Sequence, residues 1–277
     1  MMHILSWGDG MKGVLCCLLI LAGVLLPVHA EDLSLELMPP EETEGFSMEV
    51  IAVRETKKEY RVYIYHTHTY ESYDPSDGNT YQSTEKWRTA DADYNMIRVG
   101  EELKSQLESA GVYVTHDTTA YEPPKLSTAY GRSLEGLRKA TAEGYDLYID
   151  LHRDAYSAGN GPNTMEKEGK KVARVLFLVG QGASFDGPEK PDWEKNHRAA
   201  KWISDEMNAE ISGVSRGVSL KSGRYNQHAA TPCILIEMGN NHNTLSEALG
   251  TVPILCRGIC SYFDNMDLQE TPEDDIL

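Results

Sequence analysis

The stretch Tyr63-Ile-Tyr-His-Thr-His-Thr-Tyr-Glu-Ser72 decides the reading of this chain. A strand-like run is followed at once by two histidines and a glutamate. His68 and Glu71 are spaced H-x-x-E, so both side chains converge on one point if the chain turns there. Two further strand-like runs end in the same way: Leu147-Tyr-Ile-Asp-Leu151 in His152, and Cys233-Ile-Leu-Ile236 in Glu237. Catalytic zinc takes three protein ligands from His, Glu or Asp and keeps one position for water. A further carboxylate then acts as general base and acid. Polar clusters at the ends of three apolar strands are what a zinc hydrolase built on an α/β sheet requires.

Outward from these three points, strand and helix patterns alternate. Strands are expected over Tyr60–Tyr65, Val112–Thr115, Tyr145–Leu151, Ala173–Val179 and Cys233–Ile236. Helices are expected over Tyr94–Ala110, Ser133–Ala142, Asp192–Ile211 and Leu245–Phe263. Asp93 is a candidate cap for the first, and Pro253 a kink or break in the last. The expected fold is α/β: a mixed, mostly parallel sheet with helices on both faces, of the zinc amidase and carboxypeptidase kind. Sites in such sheets gather beyond the carboxyl ends of the strands, where all three clusters lie.

The chain has 277 residues, enough for one sizeable domain with accessories. It carries 43 Asp+Glu against 26 Lys+Arg, a net charge of -17, which excludes a nucleic-acid footprint. Residues 1–30 read as a signal peptide or membrane anchor: Val14 to Val28 is almost wholly apolar after Lys12, and Val28-His-Ala30 suits cleavage. Either way the remainder is exported, tethered to the outer face of the cytoplasmic membrane or secreted. Residues 31–56 read as an acidic linker, 57–264 as the catalytic domain and 265–277 as an acidic disordered tail. Cys233, Cys256 and Cys260 lack the paired spacing of a zinc site and read as buried free thiols.

Each candidate residue has a plainer reading beside the chemical one. Positions two apart share one side of an extended chain, so His66 and His68 both reach a common site. The H-x-x-E pair favours His68 as the ligand, with His66 as its alternative or as an orienting group; the plainer reading is a polar surface loop. His152 is the third ligand, its other ring nitrogen held by Asp150 or Asp154; the plainer reading is a structural His–Asp contact. Arg153 binds a substrate carboxylate or makes a salt bridge of the fold. Glu237 is the general base and acid, or a buried partner for an arginine. Asn240 and Asn241 offer amide groups to a substrate, and Tyr225 lies in a loop near the cleft. His116-Asp117 is an outside candidate. There is no phosphate-binding glycine loop and no G-x-S-x-G elbow.

Taken together, His66-Thr-His-Thr-Tyr-Glu-Ser-Tyr73, Arg98-Val-Gly100, Tyr130-Gly-Arg-Ser-Leu134, Ile149-Asp-Leu-His-Arg-Asp-Ala155, Asn196-His197, Arg216-Gly217, Tyr225-Asn-Gln227 and Glu237-Met-Gly-Asn-Asn241 resemble the stage II sporulation protein P family. The resemblance runs from about Tyr60 to the last helix. It implies a zinc-dependent N-acetylmuramoyl-L-alanine amidase acting on peptidoglycan during engulfment in endospore formation, with cross-link cleavage as a further activity. It also implies a membrane anchor, and a lytic transglycosylase and a polytopic membrane protein as partners. Carried onto this chain, the zinc ligands are His68 (or His66), Glu71 and His152, and Glu237 is the catalytic acid/base. Two competing readings are a zinc carboxypeptidase acting on wall peptides and a catalytically inactive wall-binding scaffold.

Overall fold

The computed structural model describes residues 58–270. The apolar run, its candidate cleavage site and the whole acidic linker lie outside the described residues. So do the last seven residues. Eight strands run in chain order: β1 Arg61–Tyr65, β2 Tyr113–His116, β3 Leu147–Asp154, β4 Thr164–Lys167, β5 Lys170–Ala173, β6 Val175–Gly180, β7 Ser215–Lys221 and β8 Cys233–Asn240. Four α-helices join them: α1 Met96–Ser109, α2 Ala129–Thr141, α3 Trp193–Glu210 and α4 Leu245–Glu270.

Six strands form one sheet in the order β2-β1-β3-β8-β6-β7, and β4 and β5 form a separate hairpin. All neighbours in the large sheet are parallel except β6 and β8. The sheet is therefore mixed and mostly parallel. Alternation along each strand sorts its two faces. Val62, Ile64, Ile149, Leu151, Phe177, Ile234 and Ile236 face a core filled by Met96, Leu103 and Leu107 of α1, Ala199 and Ile203 of α3, and Val252, Leu255 and Ile259 of α4. Each fully buried Leu or Ile there contributes roughly 1.5–3 kcal/mol. The opposite face has a smaller cluster, Tyr63, Tyr65, Tyr148 and Cys233 under Leu137 and Ala140 of α2. Helices thus lie on both faces but unequally, three against one, and the thinly covered face is where Asp150, His152 and Glu237 emerge.

Several elements differ from the sequence reading. Asn95, not Asp93, caps α1: its side chain accepts from the Ile97 N–H at 2.9 Å. α4 runs unbroken through Pro253. It also continues to Glu270, so the expected disordered tail begins as helix. Tyr60 donates to Asp267 and Met266 packs against the core, which holds this extension down. β3 and β8 run on to Asp154 and Asn240, so His152 and Glu237 stand inside paired strands rather than just past them. β7 and the β4–β5 hairpin were not foreseen. Cys233, Cys256 and Cys260 form no disulfide among the described residues; Cys233 and Cys256 are buried and Cys260 partly so.

Candidate active site

After Tyr65 the chain stops pairing and turns through residues 67–70. The Glu71 N–H donates to the His68 carbonyl at 3.2 Å, which closes the turn and sets His68 and Glu71 side by side. The turn is pinned to β3: Asp150 accepts the Thr67 N–H at 2.8 Å and the Thr67 hydroxyl at 2.7 Å. His152, two residues on, emerges on the same face. Its Nδ1 stands 3.4 Å from Glu71 Oε2, and its Nε2 2.8 Å from Asp150 Oδ1. The Asp150 contact is close but misaligned, since Nε2 makes no directed hydrogen bond; Asp150 holds it through charge. The His68 ring meets His152 edge-on at 5.3 Å and Tyr130 at 5.5 Å.

Glu237 joins this group from β8. It is the register partner of His152 across a parallel pair. Its Oε2 is buried without a hydrogen-bond partner. Burial lifts the Glu237 carboxyl to about 8, against the pull of His152. Burial alone would raise Glu71 too, but contact with His152, then Arg153 and His68, holds it at about 2. Burial opposes charge on His152, yet Asp150 and Glu71 overcome it and keep that ring well above the ordinary histidine range. Burial and the neighbouring His152 push His68 down to about 4. Four groups of one small site are thus displaced in opposite directions, the pattern of acid–base chemistry.

The same group is also a candidate metal site. Among the described residues, no three His, Cys, Asp or Glu side chains already converge on one ion-sized point. Two donors do have the right spacing. Ligands of a tetrahedral zinc at about 2.0–2.1 Å stand about 3.3–3.4 Å apart, and His152 Nδ1 and Glu71 Oε2 are 3.4 Å apart. His68 Nδ1 and Glu237 Oε2 are both buried without hydrogen-bond partners. Buried polar atoms are almost always paired, so orphans gathered in one place suit a group that binds there. The donor set of two histidines and a carboxylate, with a carboxylate behind one histidine, is that of catalytic zinc. The residues fit the metal.

His66 is directed elsewhere. It is wholly buried, with Nδ1 2.9 Å from the Leu151 carbonyl and Nε2 2.8 Å from His116 Nε2. The turn at Thr67 separates it from His68, because positions two apart share a side only in an extended chain. Of the pair, only His68 faces His152.

Residues 30–260 match the family described as stage II sporulation protein P (SpoIIP). The chain belongs to that family. Stage II sporulation protein P of Bacillus subtilis (strain 168) is 31% identical over 200 residues, which cover 67% of this chain and 47% of that protein. The chain thus spans about half the length of its curated relative. Among solved structures, the CwlD amidase of Clostridioides difficile in complex with the GerS lipoprotein aligns with a TM-score of 0.48 and 14% identity, covering 74% of this chain and 99% of that one. The N-acetylmuramoyl-L-alanine amidase AmiC2 of Nostoc punctiforme aligns with a TM-score of 0.46 and 12% identity, covering 74% and 97%. Likenesses this distant carry no chemistry with them.

Several of the other expected site residues make contacts within the fold. Arg153 is buried and donates to the carbonyls of Ser72 at 2.9 Å and Trp87 at 3.0 Å. The site loop needs those donors, because Trp87 sits at a φ of 56°, a strained value for a bulky residue. Asn240 is likewise engaged, donating to Asn163 Oδ1 at 2.9 Å and accepting from the His242 N–H. Asn241 Oδ1 accepts the Tyr156 N–H at 2.7 Å, while its Nδ2 is buried and unpaired. Tyr225 touches Tyr130, which touches His68. Asp154 binds Arg216 at 2.8 Å, leaving His152 to Asp150.

Sequence reasoning missed Arg88 and Glu122, which form an ion pair behind the turn. Glu122 also accepts the Tyr70 N–H at 3.0 Å. No local signal marks either residue, since both lie in loops without periodicity.

Proposed function

We propose that this chain is a zinc-dependent peptidoglycan hydrolase that cleaves the amide between the lactyl group of muramic acid and L-alanine during engulfment. Cleavage of stem-peptide cross-links is a further activity of the same site. The observation that supports this most is Glu237 Oε2, buried and unpaired beside the His68–Glu71–His152 cluster. His68, Glu71 and His152 would hold the zinc. When bound, zinc supplies Lewis acidity for the scissile carbonyl and lowers the pKa of water towards about 7.

The chain's own residues do the rest. Glu237 Oε2 takes a proton from the attacking water and delivers it to the departing amine. Burial of Oε2 keeps the Glu237 carboxyl basic enough to accept that proton. Asp150 fixes the His152 ring so that Nδ1 faces Glu71. Arg153 keeps the loop carrying Glu71 against β3, its own N–H donating to Glu71 Oε2 at 3.2 Å.

Retention at the outer face of the cytoplasmic membrane, and work alongside a lytic transglycosylase and a polytopic membrane protein, complete the proposal. Digestion of purified peptidoglycan tests it. Glycan strands freed of whole stem peptides support the amidase. Release of single terminal amino acids supports a carboxypeptidase instead, and binding without any product supports a wall-binding scaffold.

A further inference from the structure

Beyond Glu237, towards β7, the thinly covered face of the sheet opens as a cleft of about 530 Å³. α2 packs over the Tyr63, Tyr65 and Tyr148 side of this face and leaves the β6–β7 side bare. Leu176 and Leu178 of β6 and Ser219 of β7 line the cleft, with Glu237 in register with Leu176. Three cations border it, Arg174, Arg216 and Lys221. They gather in a chain whose net charge is -17.

These cations are incompletely neutralised. Asp154 accepts from Arg216 at 2.8 Å. Arg174 is bonded only to backbone carbonyls, that of Gly213 at 2.7 Å and those of Asn160 and Pro162 at 3.2 Å. Those bonds orient the guanidinium and leave its charge in place. Lys221 is exposed and forms no ion pair among the described residues. Burial, and then the neighbouring Arg216, push Arg174 below the ordinary arginine range, as expected for two like charges with too little counter-charge.

A cationic cleft with an aliphatic floor suits an anionic chain that also carries apolar groups. Asp154, which anchors Arg216, lies two residues beyond His152 on β3, a distance of about 6–7 Å along a strand. A peptide residue spans about 3.3–3.6 Å, so a group held at Arg216 is about two residues from the reacting amide. We propose that the cleft receives a free carboxylate of the peptide arm of the substrate, bound by Arg216 and Arg174 with Lys221 at the rim. Leu176 and Leu178 take the adjoining aliphatic side chains. The inference deepens the hydrolase reading and rests on it for the identity of the peptide.

Calorimetric titration of the full chain tests it without requiring turnover. The probes are a synthetic tetrapeptide stem with free carboxylates and the same peptide with those groups converted to carboxamides. The acid form should bind at least about tenfold tighter, as the loss of one charge-assisted contact implies. Lys221→Gln, at an exposed position, should shrink that preference, and Arg216→Gln should abolish it, with carboxamide binding unchanged in both. Equal binding of the two peptides by the unaltered chain overturns the proposal, as does a preference that survives both substitutions. Selective binding in a chain that cuts no amide would uphold the cleft and defeat the hydrolase reading. Amide cleavage without selective binding would do the reverse.

Discussion

His152 and Glu237 are register partners on the adjacent parallel strands β3 and β8. Partners across a parallel pair project on one face, with strands about 4.8 Å apart. One partner is clasped by Asp150 and Glu71, and the other keeps an unpaired carboxylate oxygen. The proposed ligand and the proposed acid/base are thereby held side by side by backbone pairing rather than by loop conformation.

Glu237→Gln preserves shape and removes only the ability to accept a proton. Peptidoglycan cleavage should fall by about 10²–10⁴-fold, the usual contribution of a positioned general base. Zinc content, measured on the same sample, should be unchanged. His152→Ala should lose both metal and activity.

In the proposed site Asp150 supports the metal indirectly, through its contacts with His152 and Thr67. Asp150→Asn should weaken zinc binding by about 10–100-fold, the range for outer carboxylates behind a ligating histidine. Competition with a chromogenic chelator reads this directly. Unchanged zinc affinity in a folded variant would remove Asp150 from the site.

Arg153 ties β3 to the paired Ser72 and Trp87 segments through backbone carbonyls 81 and 66 residues away in sequence. Arg153→Lys cannot reproduce that fork. Leaving buried carbonyls unpaired should lower stability by about 1–3 kcal/mol, read from denaturant unfolding. A variant as stable as the parent but with weakened peptide binding would return Arg153 to a substrate role.

Asp117 carries a pH-dependent part of the stability. Burial raises its pKa, but bonds from Thr119, Tyr121 and Tyr63 outweigh this and leave it below the ordinary aspartate value. A depressed carboxyl stabilises the fold above its unfolded pKa of about 3.9, and the contribution fades as pH falls through the folded value. The stability gap between the parent and Asp117→Asn should therefore be full at neutral pH and narrow below about pH 4. A gap independent of pH would contradict this.

Much of the site was legible because its signals are local. The alternation of apolar residues gives β1, β3 and β8, and each candidate group follows directly in sequence. His68 and Glu71 need only one turn to meet. What escaped depends on distant partners. Arg153 looks like a free cation until Ser72 and Trp87 arrive from 81 and 66 residues away. β7, with the sequence Ser-Arg-Gly-Val-Ser-Leu-Lys, is too polar to read as a strand, because it is an edge strand beside an open cleft. Spacing favours His68 but leaves His66 as an alternative until the chain turns between them and His116 takes His66.

The most direct measurement is the metal content of the purified chain together with mass spectrometry of the products it releases from peptidoglycan. One zinc per chain, and glycan strands stripped of intact stem peptides, is the predicted result. A folded chain that binds no zinc and leaves the muramyl amide whole would contradict it.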